Sequence, residues 1–378
     1  MIGQPEDIFR VERLSTAEDR LGVLKRWKDY CRNTDHSYYL SATWVESWLE
    51  TLADENSPLF PELLVMHNER GPLLAGLVVY RTLRRGGMIS SRVASLHSTG
   101  DYYMDGALGL EYNHFLTMQN IPVSIHFFLK NFPEDWDELY LPGMDRARFP
   151  GDQLDRIPEK WLITDYVWDL FTVDLSRIGN TLDTYLALLS RNTRSQIRRG
   201  LRVYEQRGGL CLRQAELVGE ALPMLDAIYA LNRQRCRQKG IDSSMTPFFK
   251  KFHTRLITKG LERGEIQLLE FTTPQGPVGY LYNFIYGDRV YFYQCGFYYE
   301  ADNKVRPGHV AHAMAIVHNA CQGRRVYDFQ AGNDRYKQSL STDREAMCWF
   351  RILRPGYKTY ILKKLKALRE IIRVGASG

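Results

Sequence analysis

The chain has 378 residues, 44% hydrophobic and 25% charged, with a formal net charge of +6. Its length allows two domains. The balance is that of a globular chain, not a disordered or collagen-like one, and the mild basic excess suits an anionic ligand without requiring nucleic acid. The six cysteines, Cys31, Cys211, Cys236, Cys295, Cys321 and Cys348, form no CxxC and no close pair. That argues against a zinc ribbon or a disulfide scaffold and predicts reduced thiols in a cytoplasm. The start, "MIGQPEDIFRVERL", has no basic n-region and no apolar h-region, so no signal peptide is expected. No apolar run reaches the roughly 18 residues a membrane helix needs. The 23 Tyr, 17 Phe and 7 Trp favour a large β-containing core and aromatic cleft walls.

In chain order, "DIFRVERL" reads as a strand, and "AEDRLGVLKRWKDYCRN" and "ATWVESWLETLAD" have helical spacing. "PELLVMHN" and "PLLAGLVVYRTLR" read as strands about the turn "NERG", with "SSRVASLH" a third. "EYNHFLTMQNIPVSIHFFLKNF" is helical in pattern but carries Pro122, which should kink or split it. "WDELYLPGM" closes the unit as a strand. The stretch Pro150–Pro158 reads as a connector, followed by "WLITDYVWDLFTVDL".

The second half repeats that order of elements without a residue-level repeat. "GGLCLR" is a short strand and "AELVGEALPMLDAIYALNRQRCRQK" a helix ending before Gly240. "TPFFKKFHTRLITK" is a helix with Thr246 as N-cap, Pro247 at its first position and Gly260 after its end. "EIQLLEFT", "PVGYLYNFIYG" and "DRVYFYQCGFYYE" read as an antiparallel meander. "ADNKV" leads to Arg306-Pro307-Gly308 and a helix to Cys321, then "RVYDFQA" returns as a strand and "AMCWFRILR" is one more.

The strand–loop–helix–strand run from Phe292 to Phe329 forms one βαβ unit. Pro307 is preset for a first helical turn, and Gly308 lets another group come close to the backbone. Free N–H groups and the dipole at that helix start make an anion site, with Lys304 and Arg306 beside it and His309 just inside. The other reading is a well-capped helix with a solvated basic loop. Farther on, Asp328 interrupts an apolar strand, and Tyr336 and Lys337 follow a break at Ala331-Gly332-Asn333. Either this is a site at a strand's end, or Asp328 accepts backbone N–H bonds from the turn while Tyr336 and Lys337 start a helix. His309 and His312 are three apart, but no carboxylate or Cys stands at metal spacing, so no metal is expected. Nothing marks a His partner for Cys295 as a nucleophile.

Two basic segments stand out. "RNTRSQIRRGLRVYEQR" carries Arg191, Arg194, Arg198, Arg199, Arg202 and Arg207 and forms a basic stripe as a helix. It is a surface for phosphates, tRNA, an anionic glycan lipid or a membrane, or simply a solvated face. "YKTYILKKLKALREIIRV" is amphipathic, with Ile361, Leu362, Leu365, Leu368 and Ile372 on one face. It either lies on an anionic membrane or docks on its own domain.

The order β-α-α-β-β-β-α-β-β, with a phosphate-type turn between the fourth strand and the third helix, resembles the GNAT acyltransferases. "LSRNTRSQIRRGLRVYEQRGGL", then "RPG" opening a helix, then "YDFQAGNDRYK" is similar to the GNAT-like branch associated with cellulose and exopolysaccharide synthesis. The peptidoglycan-bridge aminoacyl transferases of the Fem family are relatives of that branch. The likeness runs from about Leu40 to Pro355. The common phosphate signature, Arg/Gln-x-x-Gly-x-Gly/Ala, is not met at Lys304–Ala311, and the branch more often has serine where Arg306 stands.

The resemblance implies an α/β fold of α+β type. Residues 1–165 would form a degenerate GNAT-like domain, and 166–378 a GNAT-like acyltransferase domain with a C-terminal basic amphipathic helix. Each would hold a mixed, largely antiparallel twisted sheet flanked by helices. It implies an acyl-CoA co-substrate, acetyl-CoA first, held at Gly296, Phe297, Lys304, Arg306, Gly308 and His309. Asp328 would act as base, Tyr336 as proton donor to the leaving thiolate and Lys337 as substrate holder, with Asp101 a distant second as base. A strand-edge N–H near Cys295–Phe297 would polarise the carbonyl. The acceptor would be an amine before a hydroxyl, on a cell-envelope or exopolysaccharide precursor, in the cytoplasm or peripherally at the inner membrane face. The alternatives are a Fem-like transferase using aminoacyl-tRNA, the one case in which nucleic acid is expected, and a non-catalytic scaffold in a polysaccharide synthesis complex.

Overall fold

The computed structural model describes residues 10–85, 89–101, 104–105, 108–119, 129, 132, 135–145, 161–179, 181–300, 302, 304–361 and 364. Two compact units emerge. One is drawn from Met1–Val45, Leu52–Val167 and Met347–Gly378, the other from Glu46–Thr51 and Trp168–Ala346. The second unit takes up the chain at Trp168, and Met347 onward goes with the first unit.

The first unit holds α1 (Arg20–Cys31), the start of α2 (Ala42–Asp54), and strands β1 (Arg10–Ser15), β2 (Glu62–Asn68), β3 (Gly71–Arg85), β4 (Ile89–Leu96), β5 (Leu116–Thr117) and β6 (Glu138–Asp145). Asp19 begins α1 by accepting the Gly22 N–H at 2.8 Å, satisfying one of the orphan donors of a helix start. The strands β1, β2, β3 and β4 pair antiparallel in that order, and β4 then pairs parallel with β6. Met347–Leu353 pair antiparallel with the outer edge of β6, which is why this late segment belongs here. Leu74, Leu96, Leu139, Phe350 and Ile352 lie in one buried cluster.

The helix expected over Glu111–Phe132 is not borne out at its start. Leu116 and Thr117 form β5 against Ala75 and Leu74 of β3, because a completely buried Leu116 gains more from the sheet edge than from a helical stripe. Pro122, the connector Pro150–Pro158 and most of the C-terminal amphipathic segment, including Leu362, Leu365, Leu368 and Ile372, lie outside the described residues.

The second unit contains the later part of β7 (Leu162–Asp174), then α3 (Leu182–Leu188), α4 (Arg191–Glu205), β8 (Cys211–Gln214), α5 (Val218–Gln238) and α6 (Pro247–Gly260). After these come β9 (Ile266–Thr273), β10 (Gly276–Tyr286), β11 (Arg289–Phe297), α7 (Pro307–Cys321), β12 (Val326–Ala331), α8 (Arg335–Leu340) and the start of β13 (Asp343–Leu353). Its strands run β7-β12-β11-β10-β9-β8, antiparallel except for β11 against β12. The predicted meander is β9-β10-β11, and the predicted cap of α6 is present, with Thr246 Oγ1 accepting the Phe249 N–H at 3.2 Å. Both units are therefore mixed α/β, each with a largely antiparallel sheet containing one parallel pair.

The predicted basic helix is α4. Ser190 caps it by accepting the Thr193 N–H at 3.2 Å. Its buried side is Thr193, Ile197, Gly200 and Tyr204, in one core with Val310, Ala311 and Ile316 of α7 and Tyr327 and Phe329 of β12. The arginines fall on the opposite side, as the 3.6-residue period requires.

Candidate active site

The site begins where two parallel strands part. β11 and β12 pair only over Arg289–Tyr291 and Val326–Asp328, yet β11 continues to Phe297 along β10. Within β11, Tyr282 pairs with Gln294 while Asn283 pairs with Phe292, so Tyr293 is an extra residue, a β-bulge that re-aims the rest of the strand. The Tyr298 N–H reaches Val278 O on β10 at 3.0 Å. By the alternation of an antiparallel ladder, the N–H groups of Phe297 and Cys295 face the other edge, where β12 has departed.

A cleft of about 610 Å³ occupies that opening. Gln294, Cys295, Gly296 and Phe297 of β11 form one wall, and Arg306, Pro307, Gly308, His309 and His312 at the start of α7 form another. Leu231, Asn232 and Arg235 of α5 and its C-cap residue Lys239 line a third side, and Asp334 and Tyr336 stand at the remaining end. Sequence chemistry explains the closeness. A Cβ on Gly296 would lie 3.0 Å from Ile228 Cα, so glycine lets α5 ride on the strand, and a Cβ on Gly308 would lie 3.3 Å from the Phe297 ring. No side chain caps α7 at Arg306. Pro307 carries no N–H, and the helix dipole favours negative charge here.

Burial sets the protonation states. It lowers His309 to about 4, helped by Arg306, and His312 to about 3, helped by His309 and Lys337, so both rings are neutral at pH 7. His312 Nδ1 lies 3.0 Å from the Tyr327 hydroxyl, and its ring stacks on Tyr336 at 5.9 Å. Burial pushes the Cys295 thiol up to about 12, which removes the thiolate a nucleophile needs. Burial, then Cys295 and Asp334, hold the Tyr336 phenol well above its ordinary range, so it is a proton donor at neutral pH. Of the two carboxylates at the cleft, Glu300 is gripped by Arg207 through bonds of 2.7 and 3.0 Å. Asp334 is exposed and makes no side-chain cap to α8.

Gly296, Phe297, Arg306, Gly308, His309 and Tyr336, all predicted, come together around this cleft. Three predicted residues do not line it. Lys304 is exposed in the loop, its N–H on Asp302 Oδ1 at 2.9 Å. Lys337 turns inward, its Nζ 2.7 Å from Ala331 O, and caps the end of β12 instead of reaching a substrate. Asp328 is fully buried, with Arg289 Nη1 at 2.9 Å and the Gln330 N–H at 2.7 Å. Among the described residues, no group of three or more His, Cys, Asp or Glu is placed to hold a metal ion. The cations Arg235 and Lys239 were not anticipated, and Asp334 was assigned no role. Leu231, Arg235 and Lys239 recur at four-residue spacing along α5 and its C-cap, a local signal that marks the two cations as neighbours.

The first unit has the same parallel arrangement, but among the described residues chain lies where the second unit opens. Beyond the β4–β6 pair, Asn113 bridges to Met144, donates its N–H to Gly143 O at 2.8 Å and meets His97 Nδ1 through its side chain. Chain fills the space that stays empty in the second unit. Asp101, at the end of the loop after β4, lies in this first unit.

Residues 191–338 match the family described as Acetyltransferase (GNAT) domain. The match lies within the second unit. Among solved structures, FemX aligns with TM-score 0.54 at 9% identity, covering 86% of this chain and 95% of its own. A conserved protein of unknown function from Bacteroides thetaiotaomicron aligns with TM-score 0.50 at 10% identity, covering 92% of this chain and 100% of its own. These likenesses extend over both units and concern the fold. No curated protein matches the chain.

Proposed function

We propose that the protein is an acyl-CoA-dependent acyltransferase whose reaction centre is the cleft between β11 and α7. The observation that carries this reading is the convergence of three groups in one opening. They are strand-edge N–H groups at Cys295 and Phe297, a helix start flanked by Arg306, Arg235 and Lys239, and a protonated Tyr336. The cations and helix N-terminus suit a pyrophosphate. The amides suit a thioester carbonyl, whose oxygen gains negative charge on attack.

In this mechanism an acceptor amine attacks the carbonyl carbon, a C–N bond forms and the C–S bond breaks. Tyr336 gives its proton to the departing sulfur. The proton lost from the amine passes to Asp334 or water, and Tyr336 recovers its own from solvent. Asp334 takes the role expected of Asp328, because it opens on the cleft and Asp328 does not. Acetyl-CoA before longer chains, an amine before a hydroxyl, and a cell-envelope or exopolysaccharide acceptor belong to this proposal through the family resemblance alone. A location in the cytoplasm, expected from the scattered cysteines, or at the inner membrane face, expected from the basic amphipathic segment, is also part of the proposal. Among the described residues, no helix is long and apolar enough to cross a membrane.

The exposed arginines of α4 favour a second reading. Arg191, Arg194, Arg198 and Arg202 line an open groove along that helix, and the Fem-like alternative would use it for aminoacyl-tRNA. Thermal stability against CoA, acetyl-CoA, longer acyl-CoAs and bulk tRNA separates the two. A ligand at about 100 times its Kd stabilises the fold by roughly 2.7 kcal/mol. A shift with acyl-CoA that weakens in Arg306→Ala supports the first reading. A shift with tRNA alone, fading with salt, transfers support to the second. Silence across the panel leaves the scaffold.

A further inference from the structure

The bulge at Tyr293 decides which groups face the cleft. If β11 slipped by one residue to pair regularly with β10, the side chains and N–H groups of Gln294–Phe297 would exchange sides. Cys295 and Phe297 would then turn their amides to β10. Something must hold the extra residue, because a bulge forfeits ladder hydrogen bonds.

The structure shows what does so. Tyr293 OH lies 3.1 Å from His253 Nε2, and His253 Nδ1 lies 3.2 Å from Tyr282 OH. Tyr282 is the β10 residue paired with Gln294, next to the bulge. His253 has no exposed surface and is packed against Phe249 at 4.0 Å and Phe252 at 4.9 Å on its own helix, α6. A neutral imidazole offers one donor and one acceptor, and a phenol can be either. The chain Tyr282–His253–Tyr293 therefore closes only when both hydroxyls are present. It acts from the α6 side of the sheet, while the neighbouring Phe292 meets His312 of α7 at 4.5 Å.

We infer that His253 and Tyr293 are positioning residues for the acyl-donor cleft, clamping the β11 bulge so that the Cys295 and Phe297 amides point at the thioester. The role as positioning rests on the acyl-CoA reading, whereas the clamp itself is testable without ligand. Tyr293→Phe removes one oxygen and keeps the ring, so the protein should fold and melt near the wild type. Amide hydrogen exchange in ligand-free protein should rise about tenfold at Gln294 and Gly296, whose N–H groups face β10, the size of one buried hydrogen bond, and stay constant at Arg289–Tyr291. Acetyl-CoA affinity, read by calorimetry, should fall by a similar factor. His253→Leu should reproduce both changes, the double variant should add nothing, and His253→Gln, which keeps a donor and an acceptor, should restore part of each. Unchanged exchange in Tyr293→Phe overturns the clamp. Changed exchange with unchanged acetyl-CoA affinity overturns the positioning role. A wild type that binds no acyl-CoA, with exchange still raised in the variant, overturns the acyl-donor reading and leaves the clamp standing.

Discussion

Arg289 holds Asp328: its Nη1 lies 2.9 Å from Asp328 Oδ2, and the other carboxylate oxygen takes the Gln330 N–H at 2.7 Å. Gln330 has φ of 64°, a left-handed conformation that few side chains adopt without support. The β12–β7 register shifts between Asp328 and Ala331. The buried acid therefore shapes the strand end at which β12 leaves β11.

This makes Asp328 structural. Arg289→Ala strands a buried carboxylate and should cost about 3 kcal/mol, the low end for a broken buried pair, because Arg289 is partly exposed. Asp328→Asn keeps an acceptor for Gln330 and should cost less. Urea unfolding measures both. Folded Asp328→Asn should transfer acyl groups within a few fold of wild type, whereas losing a general base costs roughly 100-fold or more.

Tyr336→Phe removes the proton donor but leaves the anion-binding end of the cleft. The expected outcome is a kcat lower by about 100-fold with acyl-CoA affinity unchanged. Because the Tyr336 phenol is held well above its usual range, the wild-type rate should show no alkaline limb from this group below about pH 10. Steady-state kinetics from pH 6 to pH 10 would reveal such a limb if the assignment were wrong.

Acid should unfold the protein through its buried histidines. His97 and His309 are lowered to about 4 and His312 to about 3 by burial, whereas an unfolded histidine titrates near about 6.5. Between those limits the unfolded chain binds protons that the folded one does not. Stability is full above about pH 6.5 and falls as the pH drops toward 4, by up to about 1.4 kcal/mol per pH unit for each histidine. Denaturant unfolding at pH 7, 5.5 and 4.5 tests this, and His312→Phe should flatten the slope by one proton.

Gly200 is where α4 crosses α7. A Cβ there would come 2.6 Å from Val310 Cγ2, closer than packed side chains tolerate. Gly200→Ala should destabilise by about 1–3 kcal/mol, overriding the gain in helix propensity. Val310→Ala should relieve it, so the double variant should be more stable than the two single costs added together. A double-mutant cycle in urea reads the coupling.

Much of this was legible before the fold was known. Thr246 and Pro307 mark helix starts because capping and a preset φ are local matters of the first turn. The basic stripe of α4 follows from its arginines once it is a helix, and Gly308, Arg306 and Tyr336 stand out by type and place. Asp328 and Lys337 misled for one reason. A polar residue at a strand end looks the same in sequence whether it meets a ligand or, as here, a guanidinium or a backbone carbonyl.

The sequence by itself determined the start of α6, the bounds of α7 and the β9-β10-β11 meander, since these depend on backbone geometry over a few residues. Only the tertiary structure decided that β11 and β12 part after Tyr291, that Arg235 and Lys239 of α5 complete the cleft, and that Asn113 fills the counterpart space in the first unit. Strand order and register join residues far apart in the chain, and the energies that choose them come from burial and pairing across that distance. No local pattern records them.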